Sequence, residues 1–119
     1  MAKVTIWHNP RCSTSRSTLS LLEQHGLDPE IVEYLKTPPS AEELKSVLKK
    51  LRMKPRDLMR KKEALYKELG LDDEALSDDR LVQAMAENPI LIERPVVLFG
   101  QRAALGRPPE NVLDLFTDL

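Results

Sequence analysis

Residues 3–35 read KVTIWHNPRCSTSRSTLSLLEQHGLDPEIVEYL, and this stretch decides the fold class. Lys3–His8 is β-branched and aromatic, as strands are, and an Asn-Pro pair ends it. Residues 13–25 carry leucines at helical spacing, and Gly26 supplies a stop signal. Glu30–Leu35 is a second strand candidate. The order strand, loop, helix, strand predicts a βαβ unit with parallel strands and a right-handed crossover.

The middle of the chain is helical, and the last third returns to strands. Ser40 and Glu43 have capping-box spacing ahead of a helix that runs to about Leu51, and shorter helical segments follow. Pro95–Phe99 is the strongest strand signal; a turn, a returning strand and a final helix come after it. The order βαβ, helices, ββα predicts an α/β thioredoxin-like fold with a mixed sheet. We expect one domain over residues 1–119, with a helical insertion at about residues 40–88.

Composition narrows the function classes. The 119 residues hold 18 Lys plus Arg and 19 Asp plus Glu, a net charge of −1, whereas nucleic-acid binding needs a basic surface. No apolar run approaches the roughly 20 residues that span a bilayer. The single cysteine excludes an internal disulfide, and no His/Cys cluster has metal-site spacing. We expect a cytoplasmic protein with no nucleic-acid or membrane partner, no metal and no tightly bound cofactor.

Cys12 is the first candidate for chemistry, because it lies between a strand end and a helix start. A free thiol has a pKa of about 8.5, and a helix N-terminus with nearby cations lowers it. Arg11, Arg16 and His8 are the local cations or potential cations. The alternative is that Cys12 is a small buried apolar residue.

The neighbours of Cys12 exclude two known motifs. Ser15 takes the place of the second cysteine of a dithiol redox motif, and Thr18 takes the place of the arginine of a phosphatase loop. The hydroxyl-rich loop suits an oxyanion at a helix start, although these hydroxyls are equally suited to helix capping. Asn9, Ser15 and Arg16 are candidates for supporting the loop. His8 is either a proton carrier or thiolate partner, or a structural histidine at a strand edge.

Arginines provide the second signal. Arg94 and Arg107 each precede a proline at an end of the predicted hairpin, and Arg60 ends a short helical segment. Guanidinium groups suit tetrahedral oxyanions, but surface charges look the same in sequence. The remaining arginines are not excluded on physical grounds; they include Arg52, Arg56, Arg80 and Arg102. Pro95 is a candidate cis-proline, because thioredoxin-like folds place one beside the redox cysteine.

Five segments resemble the ArsC family of glutaredoxin-dependent arsenate reductases, and together they span nearly the whole chain. They are HNPRCSTSR at 8–16, YLKTPP at 34–39, LMRK at 58–61, NPILIERPVV at 88–97 and GRP at 106–108. The resemblance implies a thioredoxin-like fold. It implies that Cys12 is the nucleophile, that His8 assists thiolate formation, and that Arg60, Arg94 and Arg107 bind the oxyanion.

The resemblance also implies a reaction. Cys12 would form a covalent adduct with arsenic, glutathione would act as co-substrate, and the resulting Cys12–glutathione disulfide would be resolved by glutaredoxin, since the chain offers no second thiol. Phosphate and sulfate would mimic arsenate. Two alternatives remain: a redox-responsive regulator or binding module resembling Spx, and a glutathione-linked thiol enzyme that acts on another oxyanion or on protein disulfides.

Overall fold

The computed structural model describes residues 3–117. The strands and α-helices of this range follow the order β1 (Val4–Trp7), α1 (Ser13–Gln24), β2 (Glu30–Val32), α2 (Ala41–Leu51), α3 (Ala64–Glu68), α4 (Asp78–Glu87), β3 (Val96–Phe99) and β4 (Arg102–Leu105). Three 3₁₀ helices of this range cover Pro55–Leu58, Pro89–Leu91 and Pro109–Phe116. Within residues 3–117, every helix is too short or too polar to cross a bilayer.

The strands form one mixed sheet in the order β2-β1-β3-β4. β1 runs parallel to β2 and antiparallel to β3, and β3 runs antiparallel to β4. Ile6 in β1 lies opposite Ile31 on one side and Val97 on the other. This is the sheet of a thioredoxin-like fold, and the predicted fold class is confirmed.

Two compact units divide the chain. The first comprises the residues up to Thr37 and those from Arg94 onward, and it contains the whole sheet and α1. Its core is apolar and includes Ile6, Leu22 and Val97, all fully buried. Gly26 adopts a positive φ of 77° just after α1, and the next N–H, that of Leu27, donates to the carbonyl of Leu22 at 3.1 Å. That is a Schellman ending, and it returns Leu27 to the core beside Leu22.

The second unit, Pro38–Glu93, is helical. The capping box of α2 is present: the Glu43 N–H donates to Ser40 Oγ at 3.1 Å, and the Ser40 N–H donates to Glu43 Oε1 at 3.3 Å. The apolar face of α2 is buried and comprises Leu44, Val47 and Leu48. Ser77 is the N-cap of α4, and its side chain accepts from the N–H of Arg80.

Two predicted elements differ from the structure. β2 ends at Val32 and not at Leu35, because the N–H groups of Lys36 and Thr37 turn back to the carbonyl of Glu33. The final segment, Pro109–Phe116, is a 3₁₀ helix and not an α-helix. Its buried side chains, Val112 and Leu115, are three residues apart, and residues at that spacing eclipse each other in a 3₁₀ helix. Both can therefore face the core.

Candidate active site

The loop between β1 and α1 places Cys12 at the start of the helix. The carbonyl of Asn9 accepts from the N–H of Cys12, and Asn9 Oδ1 accepts from the N–H of Arg11, both at 3.0 Å. Arg16 Nη1 donates to the carbonyl of Pro10 at 2.9 Å. These bonds close the loop onto α1, so Cys12 becomes its N-cap residue, partly exposed to solvent. Asn9 and Arg16 thus both hold the loop.

The surroundings of Cys12 favour its thiolate. Burial raises the pKa of the thiol, but hydrogen bonds from the backbone N–H groups of Ser15 and Thr14 and the charge and hydrogen bond of the Arg94 guanidinium lower it. The net pKa lies below the ordinary value for cysteine. These N–H groups belong to the first turn of α1, where the helix dipole also favours negative charge. Since the thiolate is the reactive form, the site presents a nucleophile.

The pH dependence of alkylation tests this thiolate. We expect the rate of Cys12 modification by iodoacetamide to reach half its maximum at a lower pH in the folded chain than in the same chain unfolded in urea. The measured rate reports on Cys12 alone, because the 119 residues contain one cysteine. The lowered pKa also implies that the thiolate stabilises the fold above the unfolded pKa, and that this contribution is lost as the pH falls through the folded pKa. Coincident profiles for the two states would contradict an activated thiol.

Ser15 links Cys12 to His8. The backbone N–H of Ser15 bonds to the thiol, while its Oγ lies 2.7 Å from His8 Nδ1 and accepts from the N–H of Asn9 at 3.0 Å. Ser15 is fully buried and His8 is 6% exposed. Burial lowers the pKa of His8, the carboxylate of Glu33 raises it, and the Arg16 guanidinium lowers it, for a net decrease. The ring is therefore largely neutral near pH 7, and its contact with the site runs through the Ser15 hydroxyl.

Arg94 and Arg107 lie together in the unit that contains Cys12. Arg94 precedes β3, where its peptide bond to Pro95 is cis, and its guanidinium lies close enough to Cys12 to hydrogen-bond the sulfur. Arg107 Nη1 donates to the carbonyl of Arg94 at 3.1 Å. The Arg107–Pro108 bond is also cis, which the sequence did not predict. The Arg94 guanidinium thus lies beside a thiol at a helix N-terminus, where it suits a tetrahedral oxyanion, and the Arg107 guanidinium supports the backbone of Arg94.

Comparison with known proteins identifies the family. The sequence profile of the ArsC family matches residues 7–115. The chain belongs to the ArsC family. A protein named arsenate reductase from Neisseria meningitidis (serogroup A) is 52% identical over 113 residues, covering 94% of this chain and 97% of its own. The solved structure of arsenate reductase from Vibrio cholerae is 54% identical, covers 95% of this chain and 97% of its own, and superposes with a TM-score of 0.93. Uncharacterized protein YfgD of Escherichia coli is 54% identical, covering 95% of this chain and 96% of its own.

Arg60, the third arginine of the ArsC resemblance, belongs to the helical unit. Its backbone N–H donates to the carbonyl of Leu91 at 2.7 Å. Its guanidinium lies 3.2 Å from Glu63 and 3.8 Å from Glu93. Its assignment as an oxyanion ligand stays a prediction.

Two arginines that the sequence analysis left open as oxyanion ligands donate hydrogen bonds to backbone carbonyls in this ArsC chain. Arg56 donates to Tyr66 Oη at 2.8 Å and to the carbonyls of Leu71 and Asp73, both at 2.6 Å. Arg102 donates to the carbonyl of Asp114 at 2.8 Å. Arg56 thus fixes the loop that follows α3, and Arg102 fixes the final 3₁₀ helix, each within its own unit. Both arginines therefore have a structural role.

Gly106 is a site-supporting residue that sequence analysis did not single out. Its N–H donates to the carbonyl of Pro95 at 2.9 Å, next to Arg94. A Cβ at this position would lie 2.7 Å from Thr18 Oγ1 on α1 and 2.8 Å from Pro95 Cγ. The absence of a side chain therefore lets β4, the cis-proline and α1 approach closely. In the sequence, Gly106 was marked only by its place in the Gly-Arg-Pro segment that resembles the ArsC family.

Replacing Gly106 with alanine should destabilise the fold. We expect the free energy of unfolding to fall by about 1–3 kcal/mol, because the new methyl group overlaps Thr18 and the ring of Pro95. Urea denaturation measures the change. The double variant Gly106→Ala/Thr18→Ala removes one of the two obstacles and should recover part of the loss. An alanine variant as stable as the parent would show that the close approach is unimportant.

Proposed function

We propose that this ArsC-family chain reduces arsenate to arsenite, with Cys12 as the nucleophile. The observation that supports this most is the hydrogen-bonded Cys12 thiol, held between the first N–H groups of α1 and the guanidinium of Arg94. A thiolate there can attack the central atom of a bound oxyanion, while the same donors neutralise the oxygens. The names of the Neisseria and Vibrio relatives supply the substrate.

In the first step, the Cys12 thiolate attacks arsenic. A sulfur–arsenic bond forms, an arsenic–oxygen bond breaks, and the departing oxygen leaves as water after taking up protons. Arsenic remains pentavalent in this adduct. Arg94 and Arg107 would stabilise the negative charge on the remaining oxygens, since guanidinium groups stay charged at any working pH. Phosphate has the same shape and charge and should compete for the site.

In the second step, the thiolate of glutathione attacks the sulfur of Cys12. A disulfide forms between Cys12 and glutathione, and the electron pair of the sulfur–arsenic bond goes to arsenic, which leaves as trivalent arsenite. The two thiols are oxidised to one disulfide, and arsenic gains the two electrons. The 119 residues contain no other cysteine, so resolving the mixed disulfide requires an external thiol. Glutaredoxin is the partner that the family resemblance indicates.

A coupled assay tests the proposal. The chain is mixed with arsenate, glutathione, glutaredoxin, glutathione reductase and NADPH. NADPH oxidation is followed by the loss of its absorbance at about 340 nm. We expect turnover that depends on arsenate, on glutathione and on glutaredoxin, and inhibition by excess phosphate. Equal NADPH oxidation with and without arsenate would overturn the proposal. It would then favour a thiol enzyme for another oxyanion or for protein disulfides.

A further inference from the structure

A cavity lies beside His8. It has a volume of about 200 Å³ and is lined by the loop after β1 and the turn after β2. Its charged and polar walls come from His8, Asn9, Arg11, Glu33 and Lys36. Neither the ArsC resemblance nor the proposed reaction gives this cavity a role.

His8 lines this cavity and contacts Ser15 through one ring nitrogen. Nδ1 lies 2.7 Å from Ser15 Oγ, and the side chain is otherwise buried. Since imidazole has two nitrogens, Nε2 is not part of that contact. Because His8 lines the cavity, protons and charges in the cavity can act on the ring.

Glu33 is the acidic group of the cavity. The other charged groups around His8 are cationic: Arg11 from the loop, Lys36 from the turn after β2, and Arg16 from α1. The Glu33 carboxylate lies 3.5 Å from Lys36 Nζ, but both side chains keep substantial solvent exposure, so this ion pair neutralises the carboxylate only in part. Glu33 raises the pKa of His8, against burial and Arg16.

We propose that Glu33 is a positioning residue that acts on His8 across this cavity and, through His8 and Ser15, adjusts the reactivity of Cys12. Glu33 favours the protonated form of the His8 ring. Ser15 contacts that ring through its hydroxyl group and the Cys12 thiol through its backbone N–H. Because Ser15 connects the ring to the thiol, a positive ring should favour thiolate. The effect should therefore be largest in mildly acidic solution, where the ring is partly protonated.

The protonation of His8 tests this directly. In an NMR titration of the ring protons, Glu33→Gln should move the His8 titration to lower pH, and Lys36→Gln, which releases Glu33 from its ion pair, should move it to higher pH. Each change should be about twofold or more in the protonation equilibrium, the size expected for a charged group that lines the same partly hydrated cavity. The exposed ring of His25 serves as an internal reference. Glu30→Gln, on β2 but paired with Lys3 at 2.9 Å, is the matched control and should leave His8 unchanged.

Alkylation of Cys12 gives the second readout. Near pH 6, Glu33→Gln should slow the reaction with iodoacetamide about twofold, and near pH 9 the rates should agree, because the ring is then neutral in both chains. Unchanged His8 titrations in both variants, or faster alkylation of Glu33→Gln near pH 6, would overturn the proposal. The inference rests on the proposed function only in treating Cys12 as the catalytic thiol. Neither readout uses arsenate, so failure of one proposal is distinguishable from failure of the other.

Discussion

Cys12→Ser should abolish arsenate-dependent NADPH oxidation, with a loss of at least about 10³-fold. A serine hydroxyl is far less acidic than a thiol, and the N–H groups and guanidinium that favour the thiolate do not ionise it at neutral pH. Serine also cannot form the disulfide with glutathione. The coupled assay measures the loss.

The matched control for Cys12→Ser is Ser13→Ala. Ser13 is the next residue, exposed at the first position of α1, and has no part in the proposed reaction. The Ser13→Ala variant should retain arsenate-dependent NADPH oxidation. Calorimetric titration with phosphate should show that Cys12→Ser still binds an oxyanion, because the proposed ligands are N–H and guanidinium groups that the substitution retains. Persistent turnover in Cys12→Ser would rule out Cys12 as the nucleophile.

Arg94→Ala should have the second largest effect. We expect kcat/KM for arsenate to fall about 100-fold, because the Arg94 guanidinium favours the thiolate and, in the proposed mechanism, also stabilises the oxyanion. The same variant should raise the pKa of Cys12, so its alkylation midpoint should move to higher pH. Arg94→Lys keeps the charge but not the planar fork, and it should recover part of the activity.

Arg11→Ala is the control for Arg94→Ala. Arg11 is exposed in the same loop, and the contacts that close the loop use its backbone N–H, which alanine retains. Its arsenate kinetics should be close to those of the parent chain. If Arg94→Ala instead lowers the thermal midpoint of unfolding and leaves both kcat/KM and the alkylation profile unchanged, Arg94 is structural and the oxyanion site lies elsewhere.

Local signals were sufficient to predict much of the fold. The Ser40–Glu43 capping box, the stop at Gly26 and the strand Val96–Phe99 are encoded by adjacent residues, and each was found where the sequence indicated. The end of β2 was missed because its side-chain pattern continues to Leu35 although the backbone turns at Glu33. The 3₁₀ form of Pro109–Phe116 was missed because a spacing of three suits either helix type at this length.

Some residues of the candidate site could likewise be recognised from the sequence, whereas others could not. Cys12 is recognisable from its place between a strand and a helix, and Arg94 from its place before Pro95 and from the family resemblance. The roles of Ser15 and Gly106 depend on partners brought close by folding: Ser15 on His8, and Gly106 on Thr18, 88 residues away in sequence. A glycine or serine carries no local mark of such a contact. The cavity of Glu33 likewise depends on the turn after β2, which the sequence placed within a strand.

A single-turnover experiment tests the central claim most directly. The reduced chain is mixed with arsenate and glutathione in the absence of glutaredoxin, arsenite is quantified, and Cys12 is examined by mass spectrometry. The account predicts a burst of about one arsenite per chain, with one glutathionyl group on Cys12, followed by much slower turnover, because the 119 residues hold no second thiol and glutathione alone must resolve the disulfide. Arsenite formation with Cys12 still reduced, or glutathionylation that proceeds equally with phosphate in place of arsenate, would contradict it.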